Sequence, residues 1–151
     1  MAHLLTIALG TNLGNRSDNM NQARSLIQER IGPIIQESTI LETKAWGVTE
    51  QPDFLNQVLV VSLDQHDFGS TVTSSIKATL HHLLDITQSI EQTLGRERKT
   101  HWGARTIDLD LIFLDDIRYE DERISLPHPW WKERDFVRGL VDASLVDAFG
   151  L

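Results

Sequence analysis

The sequence predicts an α+β domain with the element order β-α-β-β-α-β, and three observations carry that reading. Two stretches, around 17–31 and 74–94, space apolar residues three and four apart, as a helix with one buried face requires. The stretches around them are short and rich in β-branched and apolar residues, and one alternates polar with apolar. Glycine, proline and asparagine punctuate the junctions, so the connections are turns. This order is the ferredoxin-like pattern. It implies one antiparallel sheet with both helices on one face, and an opposite face that is covered by loops or serves as the active site.

His3 to Leu9 read as the first strand, and Gly10 to Arg16 as a turn. Ser17 or Asp18 is suited to cap the helix that follows, whose apolar stripe is Met20, Ala23, Leu26, Ile27 and Ile31. Strand, glycine-bearing turn and helix invite a phosphate-loop reading, but the spacing is neither a P-loop nor GxGxxG. Gly32-Pro33 ends the helix, and Ile34 to Leu41 is the second strand. A long loop from Glu42 to Phe54 carries two aromatics, and loops of such length are often functional. Leu55 to Leu63 is the third strand, and the polar stretch Asp64 to Thr73 reads as a surface insertion. The second helix spans about Ser74 to Leu94, with Ile76, Leu80, Leu83, Leu84, Ile90 and Leu94 inward and Gly95 at its end. His81 and His82 read as flank or solvated positions. Asp115-Asp116 makes a turn, Arg123 to Leu126 a short strand, and Trp130 to Val141 one or two short helices.

The chain has 151 residues, enough for one domain (1–151) with a real core. No stretch is long and apolar enough to span a membrane, and no signal peptide is expected. Cysteine is absent, which excludes disulfides, thiolate metal sites and cysteine nucleophiles and fits a cytoplasmic protein. The formal net charge is −8, from 14 Lys and Arg against 22 Asp and Glu. That balance argues against broad binding to nucleic acid or anionic membrane.

Against this acidic background, Arg96, Arg98, Lys99 and Arg105 gather in one short segment with Trp102 and Gly103. The strand that follows alternates Ile107, Leu109, Leu111 and Phe113 with Asp108, Asp110 and Ile112. Asp108 and Asp110 therefore share one face, about 7 Å apart, and the apolar residues point into a core. Two carboxylates so placed repel each other and are costly to half-bury. Carboxylate oxygens suit magnesium, which takes one or two of them together with water and substrate phosphates. Two ions roughly 3.5–4 Å apart can be bridged by such a pair. Carboxylates for metal beside cations for phosphate point to a magnesium-nucleotide site. The competing readings are a solvated Asp-Leu-Asp beside a basic loop, a magnesium-dependent nuclease or glycosyltransferase, and a non-catalytic regulatory or RNA-binding module. A nuclease or an RNA binder would be expected to be basic.

Four segments, ALGTNLGNR, ETKAWGVTEQPDFLN, LGRERKTHWGARTIDLDLIFLDD and LPHPWWKERDFV, together resemble the 6-hydroxymethyl-7,8-dihydropterin pyrophosphokinase family of folate biosynthesis. The resemblance runs from about Leu5 to Leu140. It implies transfer of the β,γ-diphosphate of ATP to the hydroxymethyl oxygen of the pterin, with release of AMP, two Mg2+ ions and a ferredoxin-like fold. The partners it implies are the two small-molecule substrates, with the protein acting as a monomer. By resemblance, Asp108 and Asp110 hold both metals, and Arg96 and Arg105 act on the phosphates. Lys99 reaches the triphosphate, a role Arg98 can share, and Trp102 belongs to a closing loop. Gln88 and Glu91 line the nucleotide pocket with Leu111; His128 and Arg134 meet the phosphates; Arg123 and Ser125 lie near ribose and adenine. Phe54 and Phe136 sandwich the pterin and Asn56 bonds its edge. Thr43, Lys44 and Trp46 line its pocket, and Asp108 borders it. Aromatic faces on both sides of a flat heterocycle, and an amide at its edge, make physical sense. The sequence departs from the family at Lys44 and Ala104, where proline is usual, and at Pro129. The stretch 64–73 is also longer than usual. None of these removes a metal ligand or a stacking aromatic.

Overall fold

A computed structural model describes residues 3–12, 14–43, 53–63, 76–95, 107–129, 131 and 140. The elements are β1 (His3–Thr11), α1 (Arg16–Arg30), β2 (Ile34–Glu37), β3 (Leu41–Thr43), β4 (Phe54–Leu63), α2 (Ile76–Thr93), β5 (Asp108–Leu114), β6 (Tyr119–Glu120) and β7 (Ser125–Leu126). The main sheet runs β2-β4-β1-β5, with β3 also paired to β4, and every pairing is antiparallel. This is the ferredoxin-like arrangement expected of the element order.

Alternation builds the sheet's two faces. Leu5, Ile7 and Leu9 of β1, Leu59, Val61 and Leu63 of β4, and Leu109 and Leu111 of β5 point to one side. There they meet Met20, Ala23 and Ile27 of α1 and Leu80, Leu83 and Ile90 of α2, all fully buried. Both helices thus lie against one face, and this main core holds them there by apolar burial. Asn15 caps α1, its side chain accepting from the Asp18 N–H at 3.0 Å. The cap is therefore Asn15 rather than Ser17 or Asp18.

The opposite face is divided. Ala8, Val58, Ile112, Phe113 and Trp131 form a second, smaller cluster, in which the Phe113 and Trp131 rings meet edge to face at 4.9 Å. Among the described residues, this cluster covers one end of the face and leaves the other end open.

Five expectations need correction. The second strand is broken into β2 and β3, because at Ser38 the Val58 N–H is accepted by the side-chain hydroxyl, while the Ser38 N–H still donates to the Val58 carbonyl. The first strand continues through Gly10 and Thr11, which pair with Asn56 and Leu55. The third strand begins at Phe54. The register of β5 shifts against β1 between Thr6 and Ile7, so Ile112 is an extra residue. That bulge moves Phe113 off the Leu109 and Leu111 face and onto the opposite one. The short strand near 123–126 is confined to Ser125–Leu126. The second helix matches the periodicity over Ile76–Thr93, and Asp115 begins the expected turn with φ of 48°. The readings for 64–73 and for helices within 130–141 lie outside the described residues, apart from isolated positions 131 and 140.

Candidate active site

Gly10 is the centre of the open end of the sheet. It pairs with Asn56 of β4 on one side and with Asp108 of β5 on the other. One row further along β1, Ala8 pairs with Val58 and with Asp110. Directly opposed residues of antiparallel strands share a face, so Asn56, Gly10 and Asp108 form one row and Val58, Ala8 and Asp110 the next. A Cβ on Gly10 would lie 3.4 Å from Asn56 Oδ1 and 3.6 Å from Phe54 Cδ1. The missing side chain is what leaves room between an amide, an aromatic ring and a carboxylate. Two strand spacings, about 10 Å, separate the Asn56 and Asp108 main chains.

Asn56 is buried and fixed. Its Nδ2 donates to Thr43 Oγ1 at 2.7 Å and to the Leu41 carbonyl at 3.2 Å. With the amide donors engaged there, Oδ1 faces the space over Gly10, ready to accept from a ligand. β3 thus orients Asn56, through the Leu41 carbonyl and the Thr43 hydroxyl.

Asp108 and Asp110 are both half-buried and both on this face, as alternation predicts. Their strand lies at the edge of the described sheet, next to β1. An edge strand leaves main-chain groups to satisfy, and here the second helix supplies a partner. Glu91, at the end of α2 and 3% exposed, accepts the Leu109 N–H at 2.9 Å. Leu109 stands between the two aspartates in sequence, and its side chain points to the helices. The Glu91 carboxylate therefore grips β5 from the helix side. Leu111 is also buried in the helix-side core, so its side chain does not face the open end.

The remaining described candidates gather around β5 and the β6–β7 hairpin. The His128 N–H donates to the Ile112 carbonyl at 2.9 Å, which holds His128 against β5 beyond Asp110. Ser125 lies on β7 opposite Glu120. Arg123 is exposed, and its guanidinium meets Asp85 of α2 at 2.8 Å. Gln88 stands three residues beyond Asp85 and is half-buried. Arg96, Arg98, Lys99, Trp102, Arg105, Lys44, Trp46, Arg134 and Phe136 lie outside the described residues.

The same hairpin carries a polar cluster that sequence reasoning missed. Asp121 Oδ2 meets His81 Nε2 at 2.6 Å and accepts from the Tyr119 hydroxyl at 2.8 Å, while Oδ1 accepts the Arg123 and Ile124 N–H groups. Desolvation pushes the Asp121 carboxyl upward, but the Arg123 N–H, Tyr119, His81 and the Ile124 N–H outweigh it and hold the group well below the usual carboxylate range. The hydrogen bond to Asp121 in turn raises Tyr119 above its ordinary value. His81 is thus a flank residue of α2, as its sequence position suggests. It is tied to a partner 40 residues away that no local pattern reveals.

Among the described residues, no group of three or more His, Asp or Glu side chains gathers as a metal cage. The described residues that could hold a cation on this face are Asp108 and Asp110. Two hard oxygen ligands on one face, beside small residues at Gly10 and Ala8, fit magnesium, which completes its shell with water and phosphate oxygens.

The family model described as 7,8-dihydro-6-hydroxymethylpterin-pyrophosphokinase (HPPK) matches residues 6–143. The chain is 34% identical over 138 residues to the 2-amino-4-hydroxy-6-hydroxymethyldihydropteridine pyrophosphokinase of Bacillus subtilis, covering 91% of this chain and 75% of the relative. It is 33% identical over 148 residues to a mitochondrial folate synthesis bifunctional protein of Arabidopsis thaliana, covering 98% of this chain but 24% of that longer protein. Among solved structures, a Plasmodium falciparum HPPK-DHPS superposes with a TM-score of 0.59 at 14% identity, over 99% of this chain and 42% of the other. The likeness to that structure is one of fold, and the chain spans less than half of either bifunctional relative.

Proposed function

This chain belongs to the 7,8-dihydro-6-hydroxymethylpterin-pyrophosphokinase family, and from that premise we propose how its residues divide the work of the reaction. The reaction moves the β,γ-diphosphate of ATP to the hydroxymethyl group of 6-hydroxymethyl-7,8-dihydropterin, a step of folate biosynthesis. Family membership removes the nuclease, glycosyltransferase and regulatory readings of the Asp-Leu-Asp pair.

The pterin binds over Gly10. Its edge donors meet Asn56 Oδ1, and Phe54 covers one ring face. The observation that carries this assignment is the Asn56–Gly10–Asp108 row, with Phe54 beside the position where a Gly10 side chain would be. Phe136 is the second stacking ring, and Thr43, Lys44 and Trp46 complete the pocket. Asp108 borders the pterin and joins Asp110 in holding two magnesium ions with the triphosphate. Magnesium held there would neutralise phosphate charge and lower the pKa of the attacking hydroxyl.

The pterin hydroxymethyl oxygen attacks the β-phosphorus in line, the bond from that phosphorus to the α,β-bridging oxygen breaks, and AMP leaves. The hydroxyl proton goes to solvent or phosphate oxygen, and no side chain is assigned as a dedicated base. The protein acts mainly by positioning and by opposing developing charge. Arg96 and Arg105 stabilise the moving diphosphate, Arg98 and Lys99 hold the triphosphate, and Trp102 closes over it. His128 and Arg134 meet the phosphates. Gln88, Arg123 and Ser125 lie toward ribose and adenine. Leu111 contributes there through its main chain, because its side chain is committed to the core. Glu91 serves the nucleotide side by holding β5.

The reading takes residues 1–151 as one domain, working as a monomer in the cytoplasm. The cysteine-free sequence supports that compartment. No described helix is long and apolar enough to cross a membrane.

The test is steady-state turnover with ATP, magnesium and the hydroxymethyl dihydropterin, following AMP and the pterin diphosphate together. Equimolar appearance of both is expected. Asn56→Ala should raise the KM for the pterin and leave that for ATP near wild type. A rise in the KM for ATP alone would remove Asn56 from the pterin site.

A further inference from the structure

Arg16 opens α1 immediately after the capping Asn15. Gly14, with φ of +71°, turns the chain back after β1. The returning Arg16 side chain reaches two other segments at once. Its Nη1 donates to the Asp53 carbonyl at 2.8 Å and lies 3.5 Å from Glu42 Oε2. Asp53 is the residue before Phe54, and Glu42 is the residue before Thr43. One guanidinium therefore touches the chain on either side of segment 44–52, where β3 ends and β4 begins.

The geometry places this contact behind the proposed pterin pocket. Glu42 pairs with Leu55, whose side chain packs on the helix-side core, whereas Thr43 pairs with Phe54. Alternation puts Glu42 and Leu55 on the helix face and Thr43, Phe54 and Asn56 on the open face. Arg16 acts from the rear on the main chain that carries the front. The Asn56 amide depends on that spacing, because both its best acceptors, Thr43 Oγ1 and the Leu41 carbonyl, belong to β3. If β3 drifts from β4 at this end, Asn56 loses the bonds that aim Oδ1 over Gly10.

We propose that Arg16 is a positioning residue for the pterin site, tying the ends of β3 and β4 together so that Asn56 and Phe54 present a preformed pocket. It touches no substrate in this role. The proposal rests on the assignment of Phe54 and Asn56 to the pterin. A planar guanidinium donates to a carbonyl and faces a carboxylate at the same time, which a lysine ammonium on a flexible stem does less well. The Glu42 contact is half-exposed and long, so it contributes little by itself. The bond to the Asp53 carbonyl is the important one.

The experiment compares Arg16→Ala, Arg16→Lys and Glu42→Gln with Phe54→Ala and Asn56→Ala, measuring both KM values and the thermal midpoint of each. Arg16→Ala should raise the pterin KM about tenfold and leave the ATP KM within about twofold. Arg16→Lys should recover part of the loss, and Glu42→Gln should change little. If Arg16→Ala raises both KM values alike with a large fall in the midpoint, the role is general support and the proposal is overturned. If Phe54→Ala and Asn56→Ala raise the pterin KM but Arg16→Ala does not, the proposal fails while the pocket stands. If neither control moves the pterin KM, the pocket assignment fails first and takes the proposal with it.

Discussion

Asn56 and Asp108 stand on opposite sides of a single glycine, each paired in register with Gly10 across its own strand boundary. An amide that is held by β3 and a carboxylate on the edge strand of the described sheet thus flank a position that carries no side chain of its own. The amide suits the edge of a heterocycle, the carboxylate suits a cation, and the gap admits the molecule that joins the two.

The gap can be closed with one methyl group. Glycine inside a strand costs stability relative to alanine, by roughly 0.5–1 kcal/mol. A Cβ at Gly10 would press on Asn56 Oδ1 at 3.4 Å without meeting main chain closer than 4.0 Å. Gly10→Ala should therefore keep or slightly raise the thermal midpoint while raising the pterin KM about tenfold. Gly10→Val should raise it further. A Gly10→Ala enzyme with normal pterin KM would mean that the substrate lies elsewhere.

Asp108 and Asp110 separate function from stability in the same way. They share a face, and their like charges oppose each other when no cation is present. Asp110→Asn should lower turnover by on the order of a thousandfold, a loss of several kcal/mol in transition-state stabilisation. Its thermal midpoint without magnesium should stay within about 4 °C of wild type or rise. Magnesium should stabilise wild type in the presence of ATP and fail to stabilise the variant. Equal stabilisation of both would take Asp110 out of the metal site.

Legibility in the sequence followed the range of the forces involved. The helices, the faces of β1 and β4 and the shared face of Asp108 and Asp110 are set by local periodicity, and they fold as the pattern implies. The break between β2 and β3 was hidden because no glycine or proline interrupts Ile34 to Leu41, and the hydroxyl that makes the break bonds 20 residues away. Phe113 was misassigned because a bulge shifts the two-residue period without leaving a glycine or proline to mark it. Gly10 read as a turn residue, since the use of its empty side depends on Asn56, 46 positions on. Arg16, Glu91 and Asp121 likewise draw their roles from partners distant in sequence. Glu91 was singled out by resemblance, but its bond to β5 was not; the cue for it is an acid near the buried face of an amphipathic helix, where charge is rare unless bonded.

That acid gives a stability prediction. Glu91 is 3% exposed and satisfies the Leu109 N–H. Glu91→Ala leaves a buried donor without its acceptor, at a cost of about 1–3 kcal/mol. Glu91→Gln keeps an acceptor oxygen and should lose less. Urea titrations of the three proteins give the order directly. If Glu91→Ala is as stable as wild type, the strand edge is held by something else.

Thr6 offers the opposite case. It is fully buried between Val60 and Phe113, and its hydroxyl finds no partner among the described residues. Burying a hydroxyl without a bond costs about 1–3 kcal/mol in proteins. Thr6→Val keeps the branched shape and removes that cost, so the variant should be more stable than wild type by about 1 kcal/mol. A less stable Thr6→Val would mean that the hydroxyl is bonded in solution.

Asp121 has a folded pKa below its ordinary value of 3.8, so its ionised form is favoured in the folded protein. A depressed carboxyl contributes stability in full above the unfolded value, and that contribution is lost as pH falls from about 4 toward the folded pKa. Tyr119 is shifted the other way, so its contribution is complete below 10.0 and is lost as pH rises beyond that. Asp121→Asn removes the acid arm and weakens the hold of α2 on the hairpin through His81. Wild type should exceed Asp121→Asn in urea midpoint at about pH 6, and the gap should hold down to about pH 4 and narrow from there toward about pH 2. A gap that stays constant over that range would assign the stabilisation to the shape of the cluster and not to its charge.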